Sequence, residues 1–117
     1  MWTGMVVFLG TDDLDQVHKF YHETLKLPLY KDQGTCLIYE IPGGGMLGFC
    51  EHIETNPKEK SPIITLLADD VDKTYQDLLK TNFLPYEKPK LNPKFNIYHF
   101  FTKDPNGYSL EIQKFLD

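Results

Sequence analysis

The feature that most constrains this chain is a weak internal repeat, which runs through its 117 residues. The segment TDDLD at 11–15 is matched by ADDVD at 68–72, an offset of 57 residues. Further along, six extra residues in the second copy raise the offset to 63, so that Pro42 corresponds to Pro105. Self-similarity at a fixed spacing indicates that one structural unit occurs more than once. The chain is therefore predicted to fold as two copies of the same module.

Each copy begins with a short apolar run that ends at a pair of aspartates. The runs at 5–9 and 63–67 have the length of a strand. Helical periodicity follows, and Asp13 and Asp70 are placed to cap the two helices, where a carboxylate also meets the positive end of the helix dipole. A Leu-Pro pair ends each helical segment, because proline disfavours helical geometry in the residue before it.

Three strand-like runs complete each copy. They lie at 28–32, 35–41 and 46–51 in the first copy and at 85–88, 95–103 and 109–116 in the second. The predicted fold class is α+β, a single domain at 1–117 with two βαβββ modules at 1–52 and 62–117, joined by the polar segment 52–61. One helix covers only one face of each sheet, so the other face is expected to line a cavity or to contact a partner.

Charge and hydropathy argue against two classes of partner. The formal net charge is −5, and no basic stripe of the kind that binds nucleic acid is visible. No apolar run approaches the ~20 residues of a membrane-spanning helix, and the N-terminus has no basic segment followed by an apolar core. Cys36 and Cys50 do not make a disulfide framework and are predicted to be reduced thiols in a cytoplasmic protein.

Two motifs, together with the repeat, resemble the vicinal oxygen chelate superfamily. They are LDQVHKFYHETLKLP at 14–28 and DPNGYSLEI at 104–112, and the resemblance covers the whole chain. The superfamily includes glyoxalase I, extradiol dioxygenases, fosfomycin-resistance enzymes and bleomycin-resistance proteins. The resemblance implies that two βαβββ modules pair their sheets into an open eight-stranded cup, with ligands bound inside.

The resemblance also assigns a role to Glu111. In metal-dependent members the matching glutamate ligates a divalent ion at the bottom of the cup. The other three ligand positions, carried over one by one, fall at about Val6, Gly48 and Ile63, which offer no ligand atom. Because a divalent ion generally needs at least three protein ligands, Glu111 alone is not expected to hold one. No cofactor is therefore expected, and a divalent metal remains the alternative.

Six residues are predicted to line the ligand-binding cup: Phe8, Cys50, His99, Phe101, Glu111 and Gln113. Glu111 alternates with apolar neighbours that should face the helix, so its side chain should face the cup. There it is either a hydrated leftover acid or a hydrogen-bond acceptor or base aimed at a ligand. His99 is either a buried structural histidine or the partner of Glu111 in acid–base chemistry.

The remaining histidines supply alternatives for a rebuilt metal site. His18 and His22 lie four residues apart, so that one helix face can present both. This helix must also turn an apolar face to the sheet, which predicts that the two histidines flank the contact. His52 follows Cys50 and Glu51 at a strand end and is predicted to lie near the cup rim.

Three functions from different classes are compatible with these residues. The lost metal ligands favour a metal-free cup that binds a small organic molecule, as in the bleomycin-resistance branch of the resembled superfamily. The second is a lyase, isomerase or dioxygenase that uses either a metal or Glu111 and His99. The third is a protein-interaction module. A homodimer is expected, because exposed sheet edges tend to be paired or protected.

Overall fold

The computed structural model describes residues 1–58 and 61–117, and it divides into two units, Met1–Asn56 and Pro57–Asp117. Each unit contains one four-stranded mixed sheet and one helical segment. The predicted α+β class with two βαβββ modules is confirmed. Residues 59 and 60, which belong to the predicted linker, lie outside the described residues.

Unit 1 follows the order strand, helix, strand, strand, strand. Its elements are β1 (Val6–Gly10), α1 (Leu14–Val17) with a π-helical continuation (His18–Thr24), β2 (Leu29–Asp32), β3 (Cys36–Glu40) and β4 (Met46–Cys50). The strand order in the sheet is β1-β4-β3-β2, in which β1 and β4 are parallel and the other pairs are antiparallel.

Unit 2 repeats this plan. Its elements are β5 (Ile63–Leu67), α2 (Val71–Leu79), β6 (Lys90–Asn92), β7 (Ile97–Lys103) and β8 (Ser109–Phe115). The order β5-β8-β7-β6, with a parallel β5–β8 pair, matches the order in unit 1 strand for strand. The internal repeat of the sequence therefore corresponds to a repeat of the topology.

Both helices begin at the predicted aspartates. The side chain of Asp13 accepts a hydrogen bond from the backbone N–H of Gln16 at 3.2 Å, and that of Asp70 accepts one from Lys73 at 3.0 Å. Each contact satisfies a backbone donor that the first helical turn leaves without a helical partner.

The first helix departs from the continuous α-helix that its periodicity predicts. After four α-helical residues it widens into a π-helical segment, in which the N–H of Leu25 bonds the carbonyl of Phe20 five residues earlier at 2.9 Å. Phe20 and Tyr21, which are adjacent in sequence, are both fully buried in this segment. The wider turn accompanies the burial of two neighbouring aromatic rings, and hydrophobic periodicity alone does not reveal it.

The strand predicted at 85–88 is wrong. The first strand after α2 is β6, which begins at Lys90 and pairs with β7 through Lys90 and His99. Pro85 is the first residue of the predicted strand, and Pro89 directly follows its last residue. Proline has no N–H to donate to a sheet. Pairing therefore starts only after the second proline.

The helix of each unit covers one sheet face, and we call the opposite face the open face. In unit 1 the ring of Tyr21 stacks on Phe49, with ring centres 4.7 Å apart. In unit 2 the ring of Tyr75 meets Phe100 edge-on at 5.5 Å. Because side chains alternate along a strand, the open face carries the residues between these aromatics: Cys36, Ile38, Gly48 and Cys50 in unit 1, and Ile97, His99, Phe101, Glu111 and Gln113 in unit 2.

The prediction that the two cysteines are reduced thiols is wrong. Cys36 and Cys50 form a disulfide. They are directly opposite each other in the antiparallel β3–β4 pair, with their Cα atoms 4.1 Å apart. The cause is the strand register, which two cysteines 14 residues apart in sequence do not reveal by themselves.

Within the described part of the chain, no helix combines the length and the apolar composition needed to cross a membrane. The predicted cytoplasmic location stays a prediction.

Replacing Gly10 with alanine is expected to destabilise unit 1 by about 1–3 kcal/mol. A Cβ atom at Gly10 would overlap the backbone carbonyl oxygens of Ile53 and Glu54, which cannot rotate away as a side chain can. Gly4→Ala is the matched control, because a Cβ there meets nothing within 4 Å. Urea unfolding of both variants measures the difference, and equal midpoints for the two would contradict the prediction.

Candidate functional site

A cluster of hydrogen-bonded polar side chains lies on the open face of unit 2, with Glu111 at its centre. The carboxylate of Glu111 accepts hydrogen bonds from the hydroxyl of Thr65 at 2.8 Å, from the side-chain amide of Gln113 at 2.9 Å and from Nδ1 of His99 at 2.7 Å. Glu111 and His99 are both buried. These three hydrogen bonds replace those that the carboxylate would make with water, and so they offset the cost of its burial.

Strand register brings these side chains together. Glu111 of β8 is paired with Thr65 on one side and with Phe101 on the other, and Gln113 is paired with His99. Residues in register on neighbouring strands have side chains about 5 Å apart on the same face. The polar groups therefore occupy two neighbouring levels on one face of the sheet, with Thr65 beside Glu111 at one level and His99 beside Gln113 at the next.

The turn between β7 and β8 supports this register. The carboxylate of Asp104 accepts hydrogen bonds from the backbone N–H groups of Asn106 and Tyr108, both at 2.9 Å. Gly107 adopts φ +91°, a conformation that glycine reaches without the strain of a side chain. The turn predicted from the DPNG sequence is thus present, and it positions the strand that carries Glu111.

The imidazole of His99 has one nitrogen bonded and one available. Nδ1 contacts Glu111, and a carboxylate that accepts hydrogen bonds requires a proton on this nitrogen. Nε2 is buried and has no hydrogen-bond partner among the described residues. In the neutral ring Nε2 is therefore an acceptor, and in the charged ring it is a donor. The ring also meets Phe101 edge-on, with centres 5.6 Å apart.

His99 and Phe101 border two cavities within unit 2. One, of about 470 Å³, also contains Glu111 and Gln113, and its apolar walls are Ile63, Phe95, Ile97 and Phe115. The other, of about 460 Å³, carries the polar residues Glu87, Lys90, Lys103 and Ser109. Both volumes fall in the range of small-molecule sites, which is roughly 300–1,000 Å³.

Four of the six residues predicted for the cup lie together in unit 2: His99, Phe101, Glu111 and Gln113. Phe8 and Cys50 belong to unit 1. Cys50 is buried and bonded to Cys36. Phe8 is half exposed, and its ring lies over Gly48, where a Cβ atom would come within 2.6 Å of the ring. Gly48, the counterpart of Glu111 in the repeat, therefore has an aromatic ring over it.

Sequence reasoning missed several residues of the site. Thr65 is the only polar residue of β5, and its position two residues after Ile63 was a usable signal for the same face. Phe95 begins one run that the sequence predicted as a strand, and Phe115 lies near the end of the next. Alternation with His99 and with Glu111 was a usable signal that both share the face of the site. Tyr98, the neighbour of His99 in the sequence, lies on the helix side, where its hydroxyl donates a hydrogen bond to Asp72.

The helix histidines have structural contacts. Nδ1 of His18 lies 2.9 Å from the hydroxyl of Tyr39, and Nδ1 of His22 lies 2.8 Å from the carbonyl of Leu27. Burial, together with the charge of Asp32, raises the pKa of Tyr39, so its hydroxyl keeps its proton. These contacts are those expected of residues that flank a helix–sheet contact. His52 is exposed at the end of β4, with Nδ1 3.8 Å from Sγ of Cys36.

Comparison with known proteins gives a consistent result. The sequence matches the family model of the Glyoxalase/Bleomycin resistance protein/Dioxygenase superfamily over residues 4–112. A comparison with curated protein sequences gave no match.

Solved structures share the fold. A glyoxalase/bleomycin resistance protein/dioxygenase from Nocardioides has 18% identity and a TM-score of 0.78, with 100% of this chain and 85% of that chain covered. Lactoylglutathione lyase from Agrobacterium tumefaciens has 23% identity and a TM-score of 0.73, with 96% and 92% covered. TioX from Micromonospora sp. ML1 has 15% identity and a TM-score of 0.78, with 98% and 100% covered. At these identities the similarity shows the fold alone.

Proposed function

The chain belongs to the glyoxalase/bleomycin resistance protein/dioxygenase superfamily, and we propose that it binds a small organic molecule at the Glu111–His99 cluster of unit 2 without the metal ion used by metal-dependent members. The ligand carries a polar group that bonds Nε2 of His99 and a flat apolar part that packs on the aromatic walls. The observation that carries the proposal is the unpartnered, buried Nε2 of His99.

An unpartnered buried nitrogen is costly, which is why it points to a ligand. Leaving a buried polar atom without a hydrogen bond costs about 1–3 kcal/mol. The other nitrogen of the same ring is held by Glu111 at 2.7 Å, so the ring cannot turn to satisfy Nε2 without losing that bond. A hydroxyl group on a ligand would supply the missing partner to the neutral ring, and a carbonyl would supply it to the charged ring.

The cavity walls support the apolar part of the ligand. Phe95 and Phe115 are more than half exposed in the chain, at 63% and 56%. Together with Phe101 they give the 470 Å³ cavity three aromatic side chains around a small polar centre. Flat ligands pack favourably on such rings, by stacking or by edge-to-face contact.

The donor set around Glu111 does not fit the divalent ion of the resembled metal enzymes. Within unit 2 the neighbouring first-strand position of the pattern is Ile63, and the two positions in unit 1 are Val6 and Gly48. None of these side chains has a ligand atom, and the carboxylate of Glu111 is occupied by three protein donors. This supports a site in which the protein and not a metal polarises the ligand.

Metal-free acid–base catalysis is the second candidate function, and the short His99–Glu111 contact favours it. Glu111 favours a proton on Nδ1 and thereby leaves the lone pair on Nε2, in a ring that lines the cavity. In that state Nε2 can remove a proton from a bound carbon or oxygen acid, and Glu111 then stabilises the charged ring. Turnover of a compound that binds would distinguish this candidate from binding alone.

Replacing His99 with asparagine tests the proposal. A screen of hydroxyl- and carbonyl-bearing aromatic compounds by thermal shift supplies the ligand, and calorimetry measures its affinity. The asparagine amide lies near the place of Nδ1 and can still donate to Glu111, but it does not place an atom where Nε2 lies, so affinity should fall about 10–100-fold. Tyr98→Phe is the control, because Tyr98 faces the helix side, and it should leave the affinity unchanged. Equal affinity of wild type and His99→Asn would refute the proposed contact.

We further propose that the protein is a homodimer. Each four-stranded sheet leaves two edge strands, β1 and β2 in unit 1 and β5 and β6 in unit 2. Large apolar side chains are also exposed in both units, among them Trp2 at 95% and Leu91 at 66%. Such edges and apolar groups are normally covered in a soluble protein. Light scattering at micromolar concentration should give about twice the chain mass of 13.6 kDa, and the mass of a single chain would contradict the prediction.

A further inference from the structure

A second group of reactive side chains belongs to unit 1, whereas the site proposed above belongs to unit 2. It consists of Cys36, Cys50 and His52, and one possible metal-ligand atom from each lies within 4.8 Å of the others. Among residues 1–58 and 61–117 this is the only group of three or more His, Cys, Asp and Glu residues with that geometry. Both cysteines are buried and His52 is exposed.

The internal repeat relates the two cysteines of this group to the polar cluster of unit 2. At the offset of 63, Cys36 corresponds to His99 and Cys50 corresponds to Gln113. Each of these pairs is in direct register across an antiparallel strand pair, and both lie on the open face of their sheet. Unit 1 therefore carries two sulfur atoms where unit 2 carries His99 and Gln113 of its polar cluster.

We propose that Cys36, Cys50 and His52 form a zinc site when the disulfide is reduced, so that the disulfide and the zinc complex are alternative states of one group. A tetrahedral zinc ion holds two sulfur ligands about 3.8 Å apart and a sulfur and a nitrogen about 3.6 Å apart. Sγ of Cys36 and Nδ1 of His52 are already 3.8 Å apart. The two sulfurs have to separate, by rotation of the cysteine side chains, and the ligand atoms of Cys50 and His52, which lie within 4.8 Å of each other, have to reach the same spacing.

The change of state balances chemically. A dithiol reductant gives two electrons and two protons to the Cys36–Cys50 bond, which breaks to two thiols while the reductant becomes a disulfide. Zinc binding then displaces the two thiol protons to solvent, because the metal ligand is the thiolate. Oxidation of the pair by a disulfide reverses the exchange and releases the ion.

The ligand set favours zinc among common divalent ions. Thiolate and imidazole ligands select zinc over magnesium and calcium, which prefer oxygen. Three protein ligands leave a fourth position for water or an added ligand, as in open zinc sites. The exposed side chain of His52 gives the ion access to the buried sulfurs. This inference concerns unit 1 and is independent of the function proposed for unit 2.

Zinc titration of the intact protein in two redox states tests the proposal. Protein reduced with a dithiol and freed of it under nitrogen should bind one zinc ion per chain, measured by competition with a chromogenic chelator. Protein oxidised with a disulfide should bind none. Cobalt in place of zinc should give thiolate-to-metal charge-transfer absorption only in the reduced protein. Equal zinc binding in the two states would overturn the proposal.

Variants at exposed positions distinguish zinc binding by this group from zinc binding by neighbouring residues. His52→Gln removes one ligand without disturbing the buried sulfurs and should weaken zinc binding at least about tenfold in the reduced protein. Glu51→Gln, the matched control, removes a neighbouring exposed carboxylate that is outside the group and should not change it. Unchanged affinity in His52→Gln, or weaker binding in Glu51→Gln alone, would refute the assignment. Cys36→Ser should abolish binding in a chain that circular dichroism shows to be folded.

Discussion

Glu111→Gln is expected to lower ligand affinity about 10–100-fold and to destabilise the protein by about 1–3 kcal/mol. The carboxylate of Glu111 accepts hydrogen bonds from Thr65, His99 and Gln113. A glutamine amide has one acceptor oxygen and a donor NH₂ group, so at least one of these donors loses its acceptor. His99 also loses the charge of its acceptor, so the contact that orients Nε2 toward the ligand becomes weaker.

If Glu111 were only an acceptor or base aimed at a ligand, which is one of its two roles predicted from the sequence, Glu111→Gln would change binding far more than folding. The three donors that converge on the buried carboxylate add a stability cost that the sequence did not indicate. Calorimetry at a temperature where the variant is fully folded separates the two effects, and urea unfolding measures the second. Glu40→Gln makes the same chemical change at an exposed position of β3 and should alter neither quantity. A Glu111→Gln variant that binds ligand like the wild type would contradict the prediction.

The Glu111→Gln variant also tests the proposal that the site of unit 2 binds its ligand without a metal ion. Purified protein is expected to contain no metal that depends on Glu111. Stoichiometric zinc, nickel, iron or manganese that is lost in Glu111→Gln but retained in His52→Gln would overturn it and favour a metal-dependent enzyme. The opposite pattern, loss in His52→Gln alone, would assign the ion to the cysteine site of unit 1.

Phe100→Ala is expected to destabilise the protein by about 3–5 kcal/mol, with a fall in Tm of roughly 10–20 °C. Phe100 is fully buried, and its ring meets Tyr75 of α2 edge-on. Truncation removes the buried ring and leaves a cavity between helix and sheet, which a packed core fills only in part. Differential scanning calorimetry measures the loss.

The adjacent Phe101 gives a matched control for Phe100. It is half buried, faces the cavity on the open face and contacts His99. Phe101→Ala should cost less than about 2 kcal/mol of stability but should weaken ligand binding, whereas Phe100→Ala should spare affinity in the fraction that remains folded. Equal stability losses at the two positions would contradict the assignment of their side chains to opposite faces.

The repeat, the helix starts and the polar face of β8 could be predicted because they depend on local chemistry. An aspartate caps the helix that follows it, and the DPNG turn bonds its own backbone, so nearby residues suffice in both cases. Alternation along β8 likewise places Glu111 opposite its apolar neighbours whatever the sheet packs against. The later start of β6 could in principle have been predicted from Pro89. The prediction instead followed the strand-like composition of residues 85–88.

Only the tertiary structure decided which residues on strands distant in sequence are in contact. The sequence placed His99 and Glu111 on one face, but their 2.7 Å contact depends on the β7–β8 register, as does the availability of Nε2. The Cys36–Cys50 bond depends in the same way on the β3–β4 register. Register is set by turn geometry and by packing of whole faces, and a shift of one residue would send every side chain of a strand to the other side. Composition and periodicity show which face of a strand a residue occupies. The alignment of the strands determines which atoms on that face are in contact.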